Sequence, residues 1–135
     1  LLLSTKSGAL RKFARKWKRK KRIVITSLAV VLLVVALLGS CFVSYVKFDT
    51  ANPFSAANGF IQVVVADKDY IEIQKSPKVM LAQPGEAVFL KYMESRGYTE
   101  MVEKRLGSLR VFTNGKEKEI IICSQNAYYA KWCWQ

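Results

Sequence analysis

An uncharged stretch of 24 residues, Ile23–Val46, constrains the fold of this 135-residue chain more than any other feature. At about 1.5 Å per residue, a helix of that length spans roughly 36 Å, which exceeds the roughly 30 Å of hydrocarbon in a bilayer. The stretch therefore predicts a transmembrane helix over residues 23–48. Around it we expect a basic segment at 1–22, a linker at 49–59 and one small domain at 60–135.

The positive charge of the chain is concentrated before this stretch. Residues 1–48 hold 11 of the 22 Lys and Arg residues and no acidic residue, whereas residues 49–135 hold all 10 Asp and Glu. Basic residues that flank a span stay in the cytoplasm, so we expect the N-terminus inside and the domain outside the cell membrane. The nearly neutral domain lacks the clustered positive charge of nucleic-acid binders, so we expect no nucleic-acid partner. The first residue is Leu1 rather than Met, as expected of a fragment or a mis-started reading frame.

The basic segment Lys6–Arg22 predicts an amphipathic helix on the anionic inner leaflet of the bilayer. Apolar side chains recur in it at i, i+3, i+4 and i+7 and share one helical face, namely Leu10, Phe13, Ala14 and Trp17. The simpler alternative is that the charges only orient the span. The residues expected to contact the membrane surface are Arg11, Lys12, Phe13, Arg15, Lys16, Trp17, Lys18, Arg19, Lys20, Lys21 and Arg22.

Cys41 gives a second interpretation of the apolar stretch. The sequence Leu38-Gly39-Ser40-Cys41 resembles a bacterial lipobox, at which cleavage before the cysteine leaves a lipid-modified N-terminus. A basic region and an apolar region precede it, as in a secretory signal. The apolar run continues past Cys41 to Val46, which favours an intact span over lipidation of Cys41. Either interpretation leaves the domain outside the cytoplasmic membrane.

Small residues recur every four positions in the same stretch, at Ala36, Ser40 and Ser44. Such a stripe lets two helices approach closely, and it predicts a homodimer through this face. Because Ala and Ser are common in spans, the alternative is a stripe that arises by chance and has no partner.

Residues 60–135 predict an α+β domain, an antiparallel sheet with one packed helix in the order β-β-α-β-β-β, with room for extra strands. The first two strands are expected at Phe60–Ala66 and Tyr70–Gln74 as a hairpin, and the helix at Pro84–Gly97. Further strands are expected at Tyr98–Glu103, Leu109–Thr113, Glu119–Cys123 and Tyr128–Trp134. Asn114-Gly115 predicts a tight hairpin turn, because both turn positions need positive φ.

The domain has few residues suited to catalysis. The chain has no histidine, which removes the usual general base and the commonest metal ligand. Asp67 and Asp69 flank a predicted turn, where carboxylates are usually just solvated. Cys123 and Cys133 lack the spacing of a zinc site, and they either form a disulfide or remain free thiols. We therefore expect no enzyme activity, no cofactor and no bound metal.

The C-terminal end is rich in aromatic residues. If it is a strand, Tyr128, Trp132 and Trp134 share one face, while Tyr129 and Cys133 share the other. These side chains either cover a small core or form an exposed stripe that binds a partner protein or the membrane interface.

These features together predict a single-pass membrane protein with a non-catalytic outer domain. Its expected role is protein interaction, sensing or regulation in a membrane or envelope complex. Two alternatives remain: a surface-binding lipoprotein cleaved before Cys41, and an envelope enzyme subunit.

Overall fold

A computed structural model describes the backbone of residues 2–135 and the side-chain surroundings of residue 8 and residues 10–135. The chain divides into two compact units, Leu1–Gly39 and Ser40–Gln135. The second unit starts about twenty residues before the domain boundary predicted at Phe60, because it includes the end of the long N-terminal helix.

Helix α1, Leu2–Phe48, contains the whole uncharged stretch. The large apolar side chains between Ile23 and Leu38 are all exposed. Two hydroxyl groups in the stretch are satisfied within the helix, since Thr26 Oγ1 donates to the Arg22 carbonyl (2.8 Å) and Ser27 Oγ to the Ile23 carbonyl (2.9 Å). The helix is long and apolar enough to cross a bilayer and needs no outside partner for these groups, so it fits a membrane anchor.

The second unit is built on a six-stranded antiparallel sheet with the spatial order β1-β2-β6-β5-β4-β3. The strands are β1 Tyr70–Lys75, β2 Lys78–Ala82, β3 Thr99–Glu100, β4 Leu109–Thr113, β5 Lys118–Gln125 and β6 Ala130–Trp134. Helix α2, Pro53–Phe60, continues into a π-helix, Ile61–Val65, before the sheet, and helix α3, Glu86–Ser95, connects β2 to β3. The predicted α+β class, with an apolar N-terminal helix and an antiparallel sheet, is confirmed.

One face of the sheet, here named the α3 face, packs against α3 and holds the larger core. The ring of Phe89 lies 4.6 Å from that of Trp132 and 5.2 Å from that of Phe112, centroid to centroid. Alternate residues of β2, β5 and β6 supply most of the other core side chains, because successive side chains of a strand point to opposite faces, while Met93 comes from α3 and Tyr98 from the turn after it. The other buried members are Met80, Ala82, Met93, Tyr98, Ile121 and Ala130.

The opposite face, here named the α1 face, is covered by α2, the π-helix and the end of α1. Its buried residues are Val63, Ile73, Val79, Leu81 and Cys133, with Phe48 and Tyr129 packed at the margin. Gly59 allows α2 to lie close to the sheet, because a Cβ there would fall 2.4 Å from Ile73 Cγ2.

The strand predicted at Phe60–Ala66 is wrong, because these residues end α2 and form the π-helix. The helix starts just upstream, where Asn52 Oδ1 accepts hydrogen bonds from the backbone N–H groups of Phe54 and Ser55 and Pro53 takes the first helical position. The predicted linker 49–59 therefore contains most of a helix. The first hairpin is β1–β2, which turns at Ser76-Pro77.

The remaining predicted elements are present with shifted ends. The helix predicted at Pro84–Gly97 is α3, and the strand predicted at Tyr98–Glu103 is reduced to Thr99–Glu100. It is short because the chain then forms a 3₁₀-helix, Val102–Lys104. Four strands therefore follow α3.

The hairpin predicted at Asn114-Gly115 joins β4 to β5, but its loop has four residues. Asn114 Oδ1 accepts hydrogen bonds from the N–H groups of Lys116 (2.9 Å) and Glu117 (2.7 Å). In this loop positive φ is needed at Gly115, where it is 89°, and not at Asn114. The side chain of Asn114 thus shapes the turn in place of a left-handed backbone.

Candidate membrane anchor and adjoining surfaces

The basic segment and the apolar stretch belong to one continuous helix, α1. The charged side chains from Arg11 to Arg22 are exposed, as are the aromatic side chains of Phe13 and Trp17. The ammonium group of Lys21 lies 3.7 Å from the centre of the Trp17 ring, a cation–π contact between residues four apart on one side of the helix. Contact of this segment with an anionic leaflet stays a prediction.

The stripe of small residues, Ala36, Ser40 and Ser44, is covered at its last position. Ser44 is buried, and its Oγ donates a hydrogen bond to the carbonyl of Thr50 at 2.7 Å. The chain that follows α1 folds back over this position, so a second helix has no access to Ser44. Contact of a second helix with Ser44 does not fit this packing, and a homodimer through the Ala36, Ser40 and Ser44 stripe stays a prediction.

The end of α1 is attached to the sheet by residues of β6 and of the turn before it. Asp49 has a φ of 53°, ends the helix in the left-handed conformation and forms an ion pair with Lys131. The ammonium group of Lys131 also donates to the carbonyl of Lys47 (3.2 Å). A cation at this position interacts favourably with the negative end of the helix dipole.

Tyr129 connects the end of α1 to the end of α2. Its ring lies 5.5 Å from that of Phe48 and 5.8 Å from that of Phe60, centroid to centroid. These contacts, together with the Lys131 ion pair, fix the last turn of α1 within the second unit. The place where the predicted span ends is therefore part of the folded sheet unit rather than a flexible tether.

The two cysteines outside the apolar stretch do not form the disulfide considered from the sequence. Both are free, and the register pairs Cys123 with Trp132 and Cys133 with Ile122. Directly paired residues share a face, so Cys123 points to the α3 face and Cys133 to the α1 face. Burial raises the pKa of Cys123 to about 12 and that of Cys133 to about 11, so both are protonated thiols at neutral pH.

The aromatic end forms strand β6 and the turn before it, but it is not an exposed stripe. Trp132 is 1% exposed and lies in the core, so it has no surface for a partner. Trp134 and Tyr129 are partly buried at the edges of the two faces. Tyr128 is the one residue of this predicted set that remains fully accessible, at 67% exposure.

A buried ion pair lies at the edge of the α3 face. The guanidinium of Arg110 donates to both carboxylate oxygens of Glu100 at 2.6 Å, and this hydrogen bonding raises the pKa of Arg110 against the opposing effect of burial. Glu86, at the start of α3, binds Arg105 and lies 3.9 Å from Arg110, and both cations lower its pKa. The charges of this cluster are thus matched within the chain.

A cavity of about 150 Å³ lies beside this cluster. Arg110, Ser108, Ser124 and Cys123 line it, with Phe89 and Trp132 at its base. The thiol is protonated and the guanidinium is bound to Glu100, so the site holds neither a ready nucleophile nor a free cation.

A wider groove of about 710 Å³ runs along the α1 face next to the end of α1. It is lined by Tyr45, Asp49, Ala51, Gln74, Ile122 and Lys131, among others. Ile122 and its neighbour on the same face, Ile120, are 36% and 41% exposed. This half of the face therefore presents apolar surface directly beside the helix that fits an anchor.

The acidic turn considered from the sequence is solvated. Asp67 and Asp69 are both exposed, and Asp67 adopts a left-handed φ of 51°. Over the part of the chain that the structure describes, no three His, Cys, Asp or Glu side chains come together as metal ligands.

Sequence reasoning missed the outward side of α2, where Phe54 and, further along, Ile61 and Val65 are exposed. The helix-start signal at Asn52-Pro53 lies within the predicted linker.

Comparison with protein-family models, with curated proteins and with solved structures finds no match to this chain.

Proposed function

We propose that this chain is a single-pass membrane-anchored protein whose second unit is a non-catalytic interaction, sensing or regulatory module of a membrane or envelope complex. The observation that carries the proposal is the exposed, uncharged surface of α1 from Ile23 to Leu38. Folding of the chain buries none of this surface, and lipid is the solvent in which such a helix is stable.

The charge distribution supports a cytoplasmic N-terminus. Ten basic residues precede the stretch, whereas Lys47 and Asp49 follow it with opposite charges. Under the positive-inside rule this bias directs the second unit to the outside of the cell membrane.

The interaction role is supported by the groove beside the end of α1. An apolar surface that lies next to a membrane anchor suits a partner held in the same membrane, because the anchor limits the search to two dimensions and raises the effective concentration. The charges of the polar cavity on the α3 face are already matched within the chain, which favours binding over catalysis.

Fractionation of cells that make the full chain tests the anchor. The unaltered protein should pellet with membranes and resist extraction by high salt. Replacing Leu33 by Asp should shift it toward the soluble fraction, since a central acidic residue costs about 3 kcal/mol of insertion free energy. Leu106→Asp, at an exposed leucine of the second unit, is the matched control and should leave the protein in the pellet.

Protease added to sealed cells tests the orientation. Cleavage of the second unit from outside, with the basic segment protected, is the expected result, and the reverse pattern contradicts the orientation. Cross-linking in intact membranes followed by mass spectrometry tests the interaction role. Recovery of no reproducible protein partner would refute it.

A second candidate is a lipoprotein cleaved before Cys41, and one observation favours it. The second unit begins at Ser40, one residue before that cysteine, so cleavage there would leave the sheet unit with its α1 remnant intact. The intact mass of the membrane-extracted protein separates the two candidates. A mass without residues 1–40 and with added acyl chains supports the lipoprotein, and the full mass excludes it.

A further inference from the structure

The segment formed by α2 and the π-helix, Pro53–Val65, has two apolar stripes on opposite sides. One stripe, Ala56, Gly59 and Val63, is buried against the sheet. The other carries Phe54, Ile61 and Val65, which are 75%, 54% and 72% exposed and follow one another at intervals of seven and four residues. That spacing returns to the same side of a helix.

The outward stripe has the composition of a buried surface. The thirteen residues of the segment include no charged side chain, and Ser55, Asn58 and Gln62 are its polar side chains. A surface helix normally places charged residues opposite its buried stripe, and one that is apolar all round is covered by more protein or by lipid. The sheet covers only the inner stripe, so the outer stripe lacks its apolar environment.

The segment is held close to the end of the anchor helix. Six residues, 47–52, separate Val46 from Pro53, and a chain of that length reaches at most roughly 20 Å. Tyr129 contacts Phe48 at the end of α1 and Phe60 at the end of α2.

We propose that the outward stripe of Phe54, Ile61 and Val65 is inserted into the headgroup–acyl boundary of the bilayer that α1 crosses. The proposal rests on the proposed membrane anchor. Lipid is favoured over a partner protein because only residues 47–52 separate the uncharged stretch from the segment, and because the stripe itself offers no charge to select a partner.

The contact acts as a second attachment that sets the tilt of the sheet unit above the membrane. A single span leaves the attached domain free to rotate, whereas an additional interfacial helix restricts that rotation. The groove of the α1 face would then be presented at a fixed height to other proteins in the same membrane. Because the stripe has no charge, its insertion needs no anionic lipid and should be insensitive to salt.

Spin labels on the full chain, reconstituted in neutral phosphatidylcholine bilayers, test the proposal. The parent is Cys41→Ala, since Cys123 and Cys133 are shielded thiols that label poorly at neutral pH. Single cysteines are introduced as Phe54→Cys, Ile61→Cys, Leu33→Cys and Leu106→Cys. For each label, power saturation compares collisions with oxygen, which partitions into lipid, and with a water-soluble nickel chelate.

The expected result is an oxygen-to-nickel ratio at Phe54 and Ile61 several-fold above that at Leu106, which is exposed and apolar and follows Arg105, the partner of Glu86 on α3. Leu33, inside the predicted span, should give the highest ratio. The ratios at Phe54 and Ile61 should be unchanged when the salt concentration is raised.

The other outcomes separate the two proposals. A lipid-like ratio at Leu33 with water-like ratios at Phe54 and Ile61 overturns the interfacial contact and leaves the anchor standing. Low collision rates with both reagents at Phe54 and Ile61 also overturn it, because the stripe would then be covered by protein. A water-like ratio at Leu33 refutes the anchor itself.

Discussion

The two faces of the sheet differ in what covers them and in how completely they are covered. The α3 face is closed by an amphipathic helix, has aromatic residues at its centre and is bordered by matched ion pairs. The α1 face has a smaller aliphatic core, is covered by segments next to the anchor helix and leaves Ile120 and Ile122 exposed beside a groove. The difference indicates that the α3 face supplies most of the stability, while the α1 face joins the sheet to the end of α1 and leaves apolar surface exposed.

The largest expected effect is on the α3 face, at Phe89. Phe89→Ala should lower the free energy of unfolding by about 4 kcal/mol, because it removes the ring that contacts both Phe112 and Trp132 and leaves a cavity. Urea denaturation of the full chain in detergent, followed by tryptophan fluorescence, measures the change. Leu106→Ala, at an exposed position, is the control and should cost about 0.5 kcal/mol or less. A similar small loss at Phe89 would show that the α3 face is not the main core.

The next effect concerns the ion pair at the edge of the same face. Glu100→Gln should cost about 3 kcal/mol, because it leaves the buried guanidinium of Arg110 with only the more distant carboxylate of Glu86, at 3.9 Å. The double variant Glu100→Leu with Arg110→Met should recover stability to within about 1 kcal/mol of the parent, since apolar residues of similar size fill the same space. Both are measured by the same urea denaturation. A double variant as unstable as Glu100→Gln would show that the Arg110–Glu100 pair stabilises the fold in some way other than by balancing its two charges.

A smaller effect is expected on the α1 face at Gly59. Gly59→Ala should cost about 1–2 kcal/mol, because the new methyl group would lie 2.4 Å from Ile73 Cγ2 and push α2 away from the sheet, although alanine favours the helix itself. Adding Ile73→Ala should give a double variant less destabilised than the sum of the two single changes, which measures their contact. Strict additivity would show that α2 and β1 are not packed as closely as described.

The α3 face could be predicted from the sequence, and the α1 face could not. Period-two alternation and the stop signals around α3 identify β4, β5, β6 and the helix, and these elements follow their local propensities. Phe60–Ala66 has the β-branched composition of a strand, but β-propensity depends on context. Here Asn52 and Pro53 start a helix upstream of these residues, and the inner apolar stripe of that helix packs against the sheet.

The candidate functional surfaces also differ in how far the sequence predicts them. The anchor helix is visible in the sequence because a long uncharged run is a local property. The contacts of Lys131 with Asp49, of Tyr129 with Phe48 and of Arg110 with Glu100 join residues far apart in the chain or on adjacent strands, and single-sequence patterns do not specify such pairs. The disulfide hypothesis for Cys123 and Cys133 was wrong for the same reason, since the register of β5 and β6 decides which face each thiol occupies.

Lowering the pH should reduce the free energy of unfolding by an amount on the order of 1 kcal/mol, through Glu119 at the edge of the α3 face. Burial alone would raise the pKa of Glu119, but hydrogen bonds from Arg96 and Trp134 outweigh it and lower the pKa below 4.5. Because the unfolded chain then binds more protons, this stability is present above about pH 4.5 and is lost as the pH falls through the lower folded value. Urea midpoints measured from pH 7 to pH 3 should show the loss, and Glu119→Gln should reduce the slope. If Glu119→Gln leaves the pH dependence of the urea midpoint unchanged, the group that titrates is not Glu119.

The smallest effect sharpens the comparison where the α1 face meets the anchor helix. Lys131→Met should lower the free energy of unfolding by less than about 1 kcal/mol, because its partner Asp49 is half exposed and the methionine stem keeps the packing of the lysine stem. The shift in thermal midpoint, compared with that of Lys116→Met in the exposed β4–β5 loop, measures the contribution of the ion pair. A small shift means that apolar contacts such as those of Tyr129 with Phe48 and Phe60 hold the end of α1 to the sheet. A loss as large as that of Glu100→Gln would instead show that the junction depends on charge, and the α1 face would then resemble the α3 face in the way it is stabilised.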